Sequence, residues 1–224
     1  MTAIVLRKHH EITAAFASTD ASRYVLQGAH YNKEKGCLEA SDGKMAIRVP
    51  VRPTDEKDIA PHLATGAGEP VDCIIPSGLL QKAMKNIPNG NSQPFVQCVR
   101  LDTVTPAGSG DPVVSLSTDD LNTTEIVKAG AVLGTFPKLD QVWPSGAVAF
   151  EVAFDPDVLG RLCAYAKKHS GEKTRALKFT FYKDSLDKLN GIIGAVEFSL
   201  HLEPAVAGDP PVKASGVIMP MRFS

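Results

Sequence analysis

Apolar residues recur along this chain with the two spacings that secondary structure imposes, every second residue in strands and every third or fourth in helices, and the two alternate in order. Ala3, Ile4, Val5 and Leu6 predict a first strand at 3–6, and Ile12, Ala15 and Phe16 within 8–18 predict one short amphipathic helix ended by polar residues. Short β-rich runs at 24–26, 29–31, 37–40 and 45–49 follow, separated by turn residues at 32–36 and 41–43. Residues 52–70, rich in Pro, Asp, Gly and Ala and without a clear period, read as a surface connection.

A second cycle then begins. An apolar run at 71–75 predicts a strand, and 76–87 a helix with Leu79, Leu80 and Met84 inward, stopped by Pro88, Asn89 and Gly90. Strands are predicted at 95–101, 113–117 and 125–132, with a Gly/Pro/Ser loop at 105–112. In the third cycle 147–154 alternates as a strand. Asp155 and Pro156 then start a helix whose inward face is Val158, Leu159, Leu162, Tyr165 and Ala166, and Lys167, Lys168 and Gly171 end it. Strands at 177–182, 192–200 and 216–219 complete the cycle. The order is one β-α-β-β-β unit used three times, over 1–68, 69–144 and 145–224, which makes the fold class α+β. The last eight residues are rich in Val, Ile, Met and Phe, where chain ends are usually polar, so the terminus is expected to be held in a sheet beside something apolar.

Composition narrows the function. With 224 residues, 43% apolar and 22% charged, the chain can bury a real core as one large domain or two ordinary ones, and disorder is not expected. No apolar run approaches the roughly 20 residues that cross a bilayer, and the start lacks a secretory signal, so no membrane role and a cytoplasmic location are expected. Cys37, Cys73, Cys98 and Cys163 are widely spaced without a C-x-x-C pair and read as buried thiols in a reducing compartment. A net charge of −1 predicts no general affinity for polyanions, so a nucleic-acid role needs its cations gathered on one face.

Catalysis finds no footing. There is no phosphate loop, no H-E-x-x-H, no G-x-S-x-G and no metal-spaced Cys/His cluster. His9 and His10 are adjacent and would point to different sides of a helix, so they do not share a metal. Asp119-Asp120 and Asp55-Glu56 read as exposed loop acids rather than acid/base pairs. The chain is therefore expected to be no enzyme, with no catalytic residues, metal or cofactor.

Three separated motifs resemble one family. Arg23 to Gly28, followed by Leu38-Glu39-Ala40-Ser41-Asp42-Gly43-Lys44-Met45-Ala46, looks like an R-x-x-L-x-G segment preceding an A-T-D-G-H-R-L turn. Gly134-Thr135-Phe136-Pro137-Lys138-Leu139-Asp140-Gln141-Val142-Trp143-Pro144 is similar to a G-R-F-P-D-Y-R-R-V-L-P linker. Val217-Ile218-Met219-Pro220-Met221-Arg222 resembles a V-V-M-P-M-R terminus. All three patterns, in this order, are those of the bacterial-type DNA sliding clamp, the beta subunit of DNA polymerase III.

The resemblance implies a clamp fold with helices lining the inner face of a ring and antiparallel sheets outside. It assigns 1–144 to the clamp's middle domain and 145–224 to the second half of its last domain. The chain would be a processivity factor, encircling double-stranded DNA without regard to sequence and tethering a replicative polymerase and clamp loader through their clamp-binding peptides. The peptide cleft carried over would comprise Leu26, Ser41, Gly43, Met45, Ala46, Pro137, Gln141, Val142, Val217, Ile218, Met219, Pro220 and Met221. Cations on the helices independently fit a positive bore: Lys8 on the first, Lys82 and Lys85 on the second, Arg161, Lys167 and Lys168 on the third.

Departures from the pattern carry expectations too. Lys44-Met45-Ala46 replaces His-Arg-Leu and Gln141 a linker Arg, which predicts altered partner preference, and the short chain points to a phage or plasmid system. A typical clamp closes twelve units from two chains. Three units per chain predict a four-chain homo-oligomer, a tetramer in which each third unit completes a domain with a neighbour's first or third unit. The rival reading is a clamp-fold docking platform for peptides that does not encircle DNA.

Overall fold

The computed structural model describes residues 2–55, 59–64, 70–88, 93, 95–106, 110–144, 151–169, 176–181, 196–202 and 212–221. They belong to two compact units, Met1–Trp143 and Pro144–Ser224.

The first unit opens with β1 (Thr2–Leu6), a 3-10 turn (Lys8–Glu11) running into α1 (Ile12–Ala15), and the strands β2 (Gly28–Asn32), β3 (Cys37–Ser41), β4 (Ala46–Pro50) and β5 (Pro53–Asp55). After α2 (Pro61–Ala64) come β6 (Cys73–Pro76), α3 (Ser77–Lys85), β7 (Val99–Val104), β8 (Val113–Asp119) and β9 (Thr124–Gly130). Strand, helix and three-strand meander thus occur twice. The two halves do not build separate sheets. β1 joins the second meander in the order β5-β1-β7-β8-β9, and β6 joins the first in the order β4-β3-β2-β6. Each half donates its first strand to the other, antiparallel, with Leu6 opposite Val99 and Ala29 opposite Ile75.

One core follows from the exchange. Leu6 and Ile75 of the exchanged strands, Leu38 of β3, Leu101 and Leu116 of β7 and β8, and Leu80 and Met84 of α3 are almost wholly buried in a single cluster. The alternate residues of the exchanged strands point the other way and are buried as well. Ala3 and Val5 pack with Ile59, Ala60, Leu63 and Val96, and Ile74 packs with Leu26, Phe136 and Leu139. A strand buried on both faces needs a cover on each side, and the chain supplies one from a different connection in each case.

α1 and α3 pack side by side, and Lys8 at the start of the first helix donates to the Met84 carbonyl near the end of α3 at 2.9 Å. In the second unit the described elements are α4 (Pro156–His169) and the meander β10 (Lys178–Thr180), β11 (Val196–Leu202) and β12 (Val212–Ile218), paired in that order, with Ala153 bridged to Met221. Phe154 stacks on Phe179 of β10 with centroids 5.7 Å apart.

Several expectations need correction. Residues 24–26 are not a strand but part of a 3-10 segment (Ala21–Leu26), because Asp20 caps it by accepting from the Ser22 backbone and hydroxyl. The first helix buries His10, Thr13 and Ala14 and leaves Ile12 and Ala15 outside. Its Thr13 hydroxyl bonds the His10 carbonyl and turns that face inward. Residues 52–70 are more than a connection: Pro53 sits on an edge strand, where a missing N–H costs little, and Ile59, Ala60 and Leu63 cover β1.

Other boundaries shift less. Val71 is exposed, the strand after it begins at Cys73, α3 stops at Lys85, and the strand predicted from 95 begins at Val99. Cys163 is exposed on α4, unlike the other three thiols; burial pushes the Cys73 thiol up to about 12. The strand predicted at 147–154 lies partly outside the described residues, as do parts of those at 177–182 and 192–200.

Leu80 lies at the junction of α3 with both sheets, so Leu80→Ala is expected to destabilise the first unit by about 2–5 kcal/mol. Urea unfolding followed by the fluorescence of Trp143, the sole tryptophan, measures it. An unchanged midpoint would mean that the shared core does not hold the unit.

Candidate functional site

The first two motifs meet in the first unit. Arg23 donates from Nη1 to the Asp42 carbonyl at 3.0 Å, across the Ser41-Asp42-Gly43 turn. Gly43 sits at φ +85, the conformation that requires glycine here; a Cβ would also lie 2.2 Å from that guanidinium, the end of a flexible side chain that would have to move aside. The Ser41 hydroxyl donates to the Met45 carbonyl and accepts from the Gly43 N–H, while the Asp42 carboxylate accepts from the Lys44 and Met45 N–H groups. Those backbone bonds from Met45 and Lys44 hold the Asp42 carboxyl below its ordinary range.

The linker segment is pinned to the same region. Phe136 stacks on His30 with centroids 4.9 Å apart and packs with Leu26, Ile74 and Leu139. Asp140 accepts from Lys35 and, at 2.9 Å, from Arg48, whose other bond goes to Glu39, buried on β3. Arg48 also lies 4.8 Å from the centre of the Trp143 ring. Hydrogen bonds from Lys35 and then Arg48 hold the Asp140 carboxyl below its ordinary value of 3.8. Beside the linker a cavity of about 590 Å³ is bordered by His30, Glu39, Asp72, Phe136 and Asp140. Its polar groups bond one another, with His30 reaching Asp72 at 2.6 Å, so it is no apolar groove.

The cleft residues expected in the first unit divide by exposure. Leu26 and Ser41 are buried and support the surface, Ala46 is partly buried, and Gly43, Met45, Pro137, Gln141 and Val142 are exposed. With Trp143 they leave Met45 and Val142 as bare apolar side chains. In the second unit Ile218 is buried, Pro220 half-buried, and Val217, Met219 and Met221 are exposed. Alternation along β12 explains the split, since Val217 and Met219 lie on the face opposite Ile218. Arg23, Arg48, Phe136, Asp140 and Trp143, which hold or flank these segments, were not among the expected residues; the lone Trp beside a Pro-bounded linker was the available signal.

Among the expected DNA-facing cations, Lys82 and Lys85 are exposed on α3, and Arg161, Lys167 and Lys168 on α4. Lys8 is half-exposed, engaged with the Met84 carbonyl and 3.2 Å from Glu11. The structure therefore gathers Lys8, Lys82 and Lys85 onto the paired helices of the first unit. Asp119 corrects the reading of loop acids: it is buried and accepts from the Leu121 N–H, the Thr124 hydroxyl and the His62 ring, tying the β8–β9 hairpin. Among the described residues no cluster of His, Cys, Asp and Glu could hold a metal, and no helix is long and apolar enough to cross a membrane.

Antiparallel sheets with exchanged first strands under a layer of helices define an α+β clamp fold. The chain is similar to the crystal structure of the beta subunit from DNA polymerase of Streptococcus pyogenes, with a TM-score of 0.63 and 13% identity. The match covers 99% of this chain and 51% of that one, so the chain spans about half the length of that subunit. At this identity the likeness is one of fold. No protein-family model and no curated protein matches the sequence.

Asp140 gives the linker a pH-dependent anchor. Because its folded carboxyl titrates below 3.8, the anchor is fully present above that value and is lost as pH falls through the depressed one. Asp140→Asn is expected to red-shift Trp143 emission already at neutral pH, whereas the unaltered chain shifts only in acid below 3.8. Identical emission in both at neutral pH would remove Asp140 from this role.

Proposed function

We propose that this chain is a DNA sliding clamp, a processivity factor that encircles duplex DNA as a homo-oligomeric ring and tethers a replicative polymerase. The observation that carries the reading is the clamp fold combined with cations on its helix layer. Lys82, Lys85, Arg161, Lys167 and Lys168 stand exposed on helices in a chain of net charge −1. Such cations hold duplex DNA through phosphate charge, without reading bases and with strong dependence on salt. Clamps of this kind act by tethering and carry out no chemistry, which fits the lack of a recognisable catalytic motif in the sequence.

Partner peptides from a polymerase or clamp loader would dock through two sets of exposed apolar side chains, Met45, Val142 and Trp143 in one unit and Val217, Met219 and Met221 in the other. Exposed Met and Val supply apolar area and adaptability, and the buried Leu26, Ser41 and Ile218 hold the backbone beneath them. With the first turn altered at Lys44 and Met45 and the linker at Gln141, the preferred peptide would differ from that of a typical bacterial clamp.

Reversal of charge on α3 separates encircling from docking. Lys82→Glu with Lys85→Glu is expected to abolish polymerase stimulation on circular primed DNA while peptide binding persists; unchanged stimulation would leave a docking platform that does not encircle DNA. For the peptide surface, Met219→Ala is expected to weaken a clamp-binding peptide by about 1–3 kcal/mol, with Val217→Asp weaker still. Calorimetric titration giving the same affinity for both variants as for the unaltered chain would put the peptide elsewhere.

A further inference from the structure

In the first unit each half is complete only because the other half lends it a strand and a helix. Among its described residues the second unit shows one helix and one meander. In all three places the residue after the meander bonds back to the first strand of its own half: Pro53 lies opposite Ile4, the Val132 N–H donates to the Ile74 carbonyl at 2.9 Å, and the Met221 N–H donates to the Ala153 carbonyl at 2.8 Å. The other connection differs. β2 has β6 on its free side and β7 has β1, whereas among the described residues β10 pairs only with β11. A strand edge left with unpaired N–H and C=O groups is a template for another strand.

Among the described residues the helix is less covered than its counterpart in the first unit. On α3, which packs against α1, Leu80, Ala83 and Met84 are at most 1% exposed. Among the described residues of α4, Ala166 is the buried one; Val158, Leu159 and Leu162 are half-covered and Tyr165 is 51% exposed. Charge agrees with a self-complementary arrangement. Lys8, just ahead of α1, reaches the end of α3, and two α4 helices set start to end in this way bring the exposed Asp157 of the first turn toward the exposed Lys167 and Lys168 of the partner's last turn. A two-fold contact satisfies both ends at once, since each copy offers the same acid and the same cations.

We propose that the second units of two copies of this chain complete one another by exchanging first strands and pairing their α4 helices antiparallel. The segment around Val152 to Phe154 of each copy extends the other's sheet along β10, as β1 does along β7. This selects between the two ways of completing the third repeat. The first unit offers a neighbour no free position of this kind, because β2 and β7 are already paired on both sides. The pairing rests on the clamp reading only for its place in a ring; it stands on backbone and helix contacts and is measured without DNA.

Sedimentation of the full chain is expected to give twice the 23.9 kDa chain mass, or a larger even multiple. Cys163 is the exposed thiol on α4 and accepts a nitroxide label, while Cys37, Cys73 and Cys98 are buried. Dipolar coupling between two labels is expected in the assembly. Tyr165→Arg and, separately, Leu162→Glu should weaken association about tenfold or more and abolish the coupling, with the Trp143 unfolding transition of the first unit unchanged. A monomer at all concentrations overturns the proposal, as does an assembly without coupling between labels or one that neither substitution weakens. A coupled dimer that fails to bind DNA supports the pairing and counts against the ring alone.

Discussion

A strand lent to another sheet must find hydrogen-bond partners there and cover for the side chains on both its faces, and the first unit depends on two strands that pair with the meander of the opposite half. β1 completes the second meander and β6 the first. Neither half has a closed core without the other, because Leu6 and Ile75 are donated across the exchange and Leu80 and Met84 of α3 pack on both. The arrangement turns two short, thin sheets into one body, with β1 between β5 and β7 and β6 at the end of its sheet beside β2.

The surfaces of interest follow from how the outer faces of those strands are covered. Over β6 the cover is the linker, held by Phe136 and Leu139 below and by Asp140, Lys35 and Arg48 beside it. A linker fixed by ion pairs and a stacked ring presents Val142 and Trp143 at defined positions rather than as a loose tether. The turn at Asp42 is fixed in the same way by Arg23, which is why two motif segments separated along the chain behave as one piece of surface. Over β1 the cover is the short α2 segment, which brings no comparable exposed side chains.

On the helix layer, packing and charge divide by face. The sides of α3 that meet the sheets carry Leu80, Ala83 and Met84, and the opposite side carries Lys82 and Lys85. Cations placed there stand exposed on a helix whose other side is packed in the core. Lys8 marks the boundary of that arrangement, since it also ties one helix to the end of the next. In the second unit the same division leaves the apolar side of α4 half-covered among the described residues, where that of α3 is buried.

The chain's own pattern determined the order of elements, the α+β class and the motifs, because strand and helix periods are set by neighbours in sequence: the inward set of α3 and the alternation of β12 follow from spacing alone. Where a local signal was outweighed, a specific contact was responsible. Asp20 capped the segment at Tyr24 into a 3-10 turn, and Ile59 and Leu63 found a strand to cover inside what read as a featureless connection. Which motif residues face solvent was likewise not legible; Leu26 and Ile218 are as apolar as Val142 and Met219, and only the packing around them separates support from surface. The exchange of β1 and β6 was decided by tertiary structure alone. A two-residue period says that a strand is half-buried or buried, but the identity of its neighbour depends on edges that lie many residues away and become available only when the other half has formed.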